Sequence, residues 1–112
     1  MSKMKLAVLL YGIVTDDKEK KEYHEIMTKL QKQLNLMPKD ETEVVFYTDA
    51  GEMSIEEKKS WLIGQTTSNS YVFVTKETEI PDNFMLFRLN GIKNGMSTSK
   101  LADLGVFRKD LN

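Results

Sequence analysis

The stretch Lys5-Leu-Ala-Val-Leu-Leu-Tyr-Gly-Ile-Val14 sets the architecture. A strand with one wet face alternates apolar and polar residues, whereas this run is apolar almost throughout. That is the pattern of a strand covered on both faces inside a parallel sheet. Lys3 and Lys5 ahead of it imitate the start of a secretory signal. The run, however, passes straight into Thr15, Asp16 and Asp17 with no small-residue cleavage site, and it falls well short of the ~20 residues a membrane helix needs. It is expected to be a buried, central strand.

Downstream, Thr15 to Asp17 offer capping side chains and negative charge for a helix start, and Glu19 stands three residues after Asp16 as in a capping box. Tyr23, Ile26, Met27, Leu30 and Leu34 then recur on one stripe of a 3.6-residue period, which predicts a first helix with Lys and Glu on its other face. Pro38 and the polar residues Lys39 to Thr42 end it. Glu43 to Asp49 restores a β-branched and aromatic run, the second strand. Ala50, Gly51 and Glu52 turn the chain into Ser54-Ile-Glu-Glu57, a capping box that opens a second helix to about Gln65, with Ile55, Lys59 and Leu62 on one side.

Thr66 to Ser70 is a polar break before the third strand, Tyr71 to Thr75. Pro81 and Asp82 announce a third helix, Asn83 to Lys93, ending near Asn94 and Gly95, although Phe84 to Leu89 also alternates in the manner of an edge strand. Ser99 to Leu104 is a short helical candidate stopped by Gly105, after which a charged end, about the last ten residues, is expected to fray. The order β-α-β-α-β-α with right-handed crossovers gives an α/β fold: a three-layer, Rossmann-like single domain over residues 1–112 with a short parallel sheet in strand order 2-1-3. Ligands of such sheets sit at the carboxyl ends of the strands. The segments Tyr11 to Asp17, Thr48 to Ser54 and Thr75 to Glu79 are therefore expected to converge.

Composition narrows the function classes. The chain has 112 residues, 40% hydrophobic and 29% charged, the mixture of one compact domain. Its 16 Lys and Arg balance 17 Asp and Glu, for a net charge of -1, so no long-range field recruits nucleic acid or an anionic membrane. With no cysteine, disulfides, thiolate nucleophiles and cysteine metal sites are all excluded, and a reducing, cytoplasmic setting is the natural expectation.

Read as a unit, Asp49-Ala-Gly-Glu-Met-Ser-Ile-Glu-Glu-Lys-Lys-Ser-Trp-Leu-Ile-Gly64, then Ser70-Tyr-Val-Phe-Val74, then Ile80-Pro-Asp-Asn-Phe84 resembles the middle of a family-2 glycosyltransferase. The resemblance spans about residues 5 to 95 and is strongest from 43 to 87. It implies a glycosyltransferase A-type (GT-A) fold in which the loop after the first strand and the aspartate after the second hold a nucleotide: here Tyr11, Gly12 and Asp49. It also implies an Asp-x-Asp cluster after the third strand that binds Mg²⁺ or Mn²⁺ against the diphosphate, since hard cations take carboxylate oxygens. This chain carries Thr75-Lys76-Glu77-Thr78-Glu79 there. Lys76 places a cation where the metal should sit, Thr75 removes a carboxylate, and only Glu77 and Glu79 could serve.

The acceptor half that the family uses is also not expected within these residues. The resulting expectation is a non-catalytic glycosyltransferase-like module, with no cofactor, that binds a partner protein, a second copy of itself, or a nucleotide or nucleotide-sugar. A viral or structural accessory role fits that pattern. The alternative is a reduced nucleotide-sugar-dependent transferase completed by a partner chain, with Mn²⁺ or Mg²⁺ on Glu77 and Glu79.

Other residues have plainer readings. Asp16 and Asp17 are accounted for by capping. His24 sits beside the helical stripe without a Ser or Cys partner and reads as a surface residue. Gly91-Ile-Lys-Asn-Gly-Met-Ser-Thr98 lacks the Gly-Lys-Ser/Thr of a phosphate loop. Trp61 reads as core packing before partner anchor, and the seven methionines as fillers of irregular gaps.

Overall fold

The structure is a computed structural model that describes residues 4–109. The elements run β1 (Leu6–Ile13), α1 (Asp17–Asn35), β2 (Thr42–Asp49), α2 (Ile55–Gln65), β3 (Ser70–Val74), α3 (Phe84–Lys93), α4 (Thr98–Asp103) and β4 (Val106–Arg108). They form an α/β unit around one mixed sheet of strand order β2-β1-β3-β4. β1 pairs in parallel with β2, from Leu6 opposite Thr42 to Ile13 opposite Asp49, and with β3, from Ala7 opposite Tyr71 to Leu10 opposite Val74.

Leu6 to Leu10 are all 0–1% exposed, and their alternation explains why the run has no polar phase. Leu6, Val8 and Leu10 face a cluster built from Tyr23, Ile26 and Leu30 of α1, Phe84, Met85 and Leu89 of α3, and Leu101 of α4. Ala7 and Leu9 face the other way, onto Leu62 of α2 and Tyr71. Burying each large apolar side chain is worth about 1.5–3 kcal/mol, so this strand anchors both layers.

The helix ends follow local chemistry. Asp16 accepts the Glu19 amide at 2.8 Å as the N-cap of α1. The reciprocal arm of the expected capping box lands one residue early, however, because the Glu19 carboxylate accepts from the amide and hydroxyl of Thr15. The box at Ser54 and Glu57 is complete. Residues 84–89 belong to a helix and not an edge strand. α3 stops in a Schellman turn: Gly95 takes φ of +75°, its amide bonds Ile92 O, and the Met96 amide bonds Gly91 O.

Two expectations need correction. Residues 106–108, expected to belong to a fraying end, are a strand: Gly105 turns at φ +77° and Val106 to Arg108 add a fourth strand, antiparallel to β3, so the sheet is mixed and not purely parallel. The physical reason is Val106, 1% exposed inside the main cluster, the one inward side chain of a strand too short to show a period in the sequence. Residues 110–112, the rest of the segment expected to fray, lie outside the described ones. The inward face of α2 is the second correction. It is Lys58 and Leu62 that are buried, while Ile55 is half exposed and Lys59 lays its ammonium 5.5 Å from the Tyr11 ring centre and 5.2 Å from that of Phe73.

No helix among the described residues is long and apolar enough to cross a membrane.

Candidate functional site

The chain leaves β1 through α1 on one face of the sheet and leaves β2 through α2 on the other. β3 leads on to α3, on the same face as α1, and the carboxyl ends of β1 and β3 border a crevice at the end of the sheet where such folds take ligands. A cavity of about 360 Å³ lies there. Tyr11, Gly12 and Ile13 of β1, Thr75, Lys76 and Glu77 after β3, Glu19 and Tyr23 of α1, and Ile55 and Lys58 of α2 line it. Two of the three segments expected to converge thus do so. The third, Thr48 to Ser54, does not line the crevice and reaches it only through a side chain of α2.

That side chain is Lys58. It is fully buried, and its Nζ lies 2.6 Å from Oδ1 of Asp49, the last residue of β2. Asp49 also accepts the amides of Gly51 at 3.0 Å and Met53 at 3.1 Å, which shapes the turn into α2. Burial alone would raise the Asp49 carboxyl, but the Lys58 ammonium and these two amides outweigh it and hold the group below the ordinary carboxylate value. The oxygens that the resemblance assigns to a ribose or base are thus already engaged within the chain. Lys58 was not legible as a site residue, since Lys58 and Lys59 are equivalent in the sequence until α2 docks.

Gly12 has a steric reason. A Cβ placed there would fall 1.8 Å from Tyr23 Oη, so only glycine lets the Tyr23 ring cross the end of β1. The Tyr23 hydroxyl donates to Tyr11 O at 3.2 Å. Burial raises its pKa above the usual tyrosine value against an opposing backbone bond from Lys76. The Tyr11 ring meets Phe73 edge-on, with centroids 5.7 Å apart, on the α2 side of the sheet.

After β3, a turn closes on hydroxyls: the Thr75 amide donates to Thr78 Oγ1 and the Glu77 amide to Thr75 Oγ1. Lys76 is thereby aimed back at α1, with Nζ 3.1 Å from Glu19 Oε2. The bond raises the Lys76 pKa, and Glu19 is lowered, first by the Thr15 hydroxyl and then by Lys76. Glu77 and Glu79 are both exposed, and of the two only Glu77 borders the crevice. Among the described residues no group of three or more His, Cys, Asp or Glu side chains is placed to hold a metal ion.

A second and larger concavity, about 690 Å³, runs between α1 and the outer strand β2. Its floor is apolar, with Leu10, Met27 and Phe46. Asp17, Lys20, Lys21 and His24 stand along its α1 side. His24 is exposed, as its surface reading requires. Trp61 is 40% exposed and tilts over Tyr47 at 5.1 Å, so it covers the opposite face of β2 and is not a core residue.

Comparison with models of protein families, with curated proteins and with solved structures finds no match to this chain.

Proposed function

We propose that the chain is a non-catalytic binding and assembly module on a glycosyltransferase-like (GT-A-like) plan, with its small-molecule site at the crevice between β1 and β3. The observation that carries the reading is the Lys76–Glu19 ion pair. At the position where the resembled family gathers carboxylates around a divalent ion, this chain fixes an ammonium. A second cation at that spot is repelled, because two like charges a few ångströms apart interact unfavourably even at a protein surface.

The same chemistry suits an anionic ligand. The partly exposed Lys76 side chain borders the cavity, and its ammonium suits the phosphates of a nucleotide or nucleotide-sugar without a metal. That ammonium already has a carboxylate partner, so such a ligand competes with Glu19 and binds weakly. The test is calorimetric titration with a uridine diphosphate sugar, with and without Mn²⁺. The expected heat is small and indifferent to Mn²⁺. The double variant Thr75→Asp, Lys76→Asp should gain weak Mn²⁺ binding without gaining transfer. Metal-dependent binding at micromolar donor by the unmodified chain, or hydrolysis of the donor, would replace this reading with the reduced transferase.

A further inference from the structure

The larger concavity exists because one helix does not cover the whole width of the sheet beneath it. α1 packs on Leu6, Val8 and Leu10 of β1 and is tied to α3 by Gln33, whose side chain donates to Pro81 O at 2.8 Å and accepts the Met85 amide at 2.9 Å. The same face of the outer strand is left partly bare. Thr42, Val44, Phe46 and Thr48 stand on that face, since they pair with Leu6, Val8, Leu10 and Gly12. Phe46 is 56% exposed, and with the half-buried Val14 and Met27 it makes an apolar floor in a space of about 690 Å³. Sites for small organic ligands hold about 300–1,000 Å³ and are mostly apolar, with a few polar groups that orient the ligand.

Charge along the rim says which small molecule fits. Lys20, Lys21 and His24 line the concavity and are exposed, with Asp17 the one acid. The neighbouring acids lie elsewhere. Glu43 and Asp49 are on the opposite face of β2, in phase with Val45 and Tyr47, and Glu19 is bonded to Lys76 at the crevice. Among the described residues neither Lys20 nor Lys21 makes an ion pair. The rim thus offers two unpaired ammoniums and the floor offers hydrocarbon. A nucleotide is a poor match, because base and ribose would find little to bond: the Tyr23 hydroxyl is engaged with Tyr11 O, which leaves the hydroxyl of Thr48. A folded protein is a poor match as well, since ten lining residues fall short of the ~20–30 on each side of a stable interface.

We propose that this concavity binds a long-chain fatty acid, with its carboxylate on Lys20 and Lys21 and its hydrocarbon chain along Val14, Met27 and Phe46. Charge-assisted bonds to the ammoniums orient the head. Each CH₂ withdrawn from water onto the floor adds up to about fourfold in affinity. Met27 suits the role, as an unbranched side chain that adapts to the shape of its neighbour. Tyr23 lines both this concavity and the crevice, but the two sites share no charged residue. The proposal is therefore independent of the nucleotide reading, and a failed sugar-nucleotide titration and a failed fatty-acid titration are separate results.

The experiment is titration of the whole chain with sodium dodecanoate below its micellar concentration, followed by backbone amide NMR. Dodecanoate should bind saturably at one site and shift the amides of Lys20 to Met27 and Val44 to Thr48. Octanoate, four CH₂ groups shorter, should bind at least about tenfold more weakly. Dodecyltrimethylammonium, the same chain with a cationic head, should leave those amides unshifted. The double variant Lys20→Glu, Lys21→Glu should weaken dodecanoate about fivefold or more, the scale of losing an exposed charge pair, and Phe46→Ser should narrow the gap between dodecanoate and octanoate. Both should keep the circular dichroism of the unmodified chain. Equal binding of the cationic amphiphile, equal binding of octanoate, or a double variant that binds dodecanoate as the unmodified chain does overturns the proposal. So do amide shifts spread over the whole chain, or binding to phosphatidylglycerol vesicles without binding of dodecanoate, which would make the concavity a membrane contact.

Discussion

The two edges of the sheet solve opposite problems. β4 has three residues, arrives antiparallel, and is pinned by a single buried side chain, Val106, and by the Lys109 amide on Asn69 O. It is short and ends in Arg108 and Lys109, features that discourage another strand from adding to it. β2 has eight residues and no such protection, and it is clamped at its ends by ion pairs: Glu41 with Lys5 and Lys93 before its start, and Asp49 with Lys58 at its finish. β4 rests on one buried side chain, whereas β2 is held by its eight-residue ladder with β1 and by Val44, Val45 and Tyr47 packed on the two core clusters, with ion pairs added at its ends.

The largest expected effect breaks the clamp at the finish of β2. Asp49→Ala strands the buried Lys58 ammonium, and removing one partner of a buried pair costs far more than the pair itself contributes. The denaturant midpoint should fall further than for any single truncation at the β4 edge. A small change would mean that Lys58 swings out to solvent and that the clamp is dispensable. The next effect sets the edges against each other. Val106→Ala removes two buried methyl groups and should cost about 2 kcal/mol of stability, from the transfer of those groups and the cavity they leave. Phe46→Ala, at a mostly exposed side chain, should cost less than that. Equal losses in denaturant melts at low protein concentration would erase the distinction.

The smallest effect is a matter of pH. Glu41 is lowered from 4.5 by its bonds to Lys5 and Lys93, and Asp49 lies below 3.8 despite its burial. Groups with depressed folded values contribute stability that is present above their unfolded values and lost as pH falls through the folded ones. Below about pH 4, where ordinary carboxylates protonate, the ends of β2 should therefore loosen first. Amide exchange should show β2 losing protection before β3, whose register is fixed by buried side chains. Simultaneous loss would indicate that the clamps do not act locally.

Much of the fold was legible because it rests on local or periodic signals. The unbroken apolar run of β1 required cover on both faces. The stripe from Tyr23 to Leu34 required a helix, and Ser54 with Glu57 fixed where α2 begins. The central position of β1 and its parallel pairing with β2 and β3 follow from those alone. The candidate site was legible only in part. The neighbourhoods of Tyr11, Gly12 and Lys76 meet at one crevice as the topology demands, but nothing near Gly12 in the chain says that it is small to admit the Tyr23 ring from the next element.

Elements whose burial pattern is written in consecutive residues could therefore be read directly from the chain. Three features could not: which of two adjacent lysines enters the core, where the Asp49 carboxylate is engaged, and that the few residues around Val106 make a strand. Each depends on a partner distant in the chain: Asp49 for Lys58, and β1, β3 and the helices over them for Val106. A contact of that kind leaves no period or cap to read. It forms only once the sheet has brought both partners to the same place.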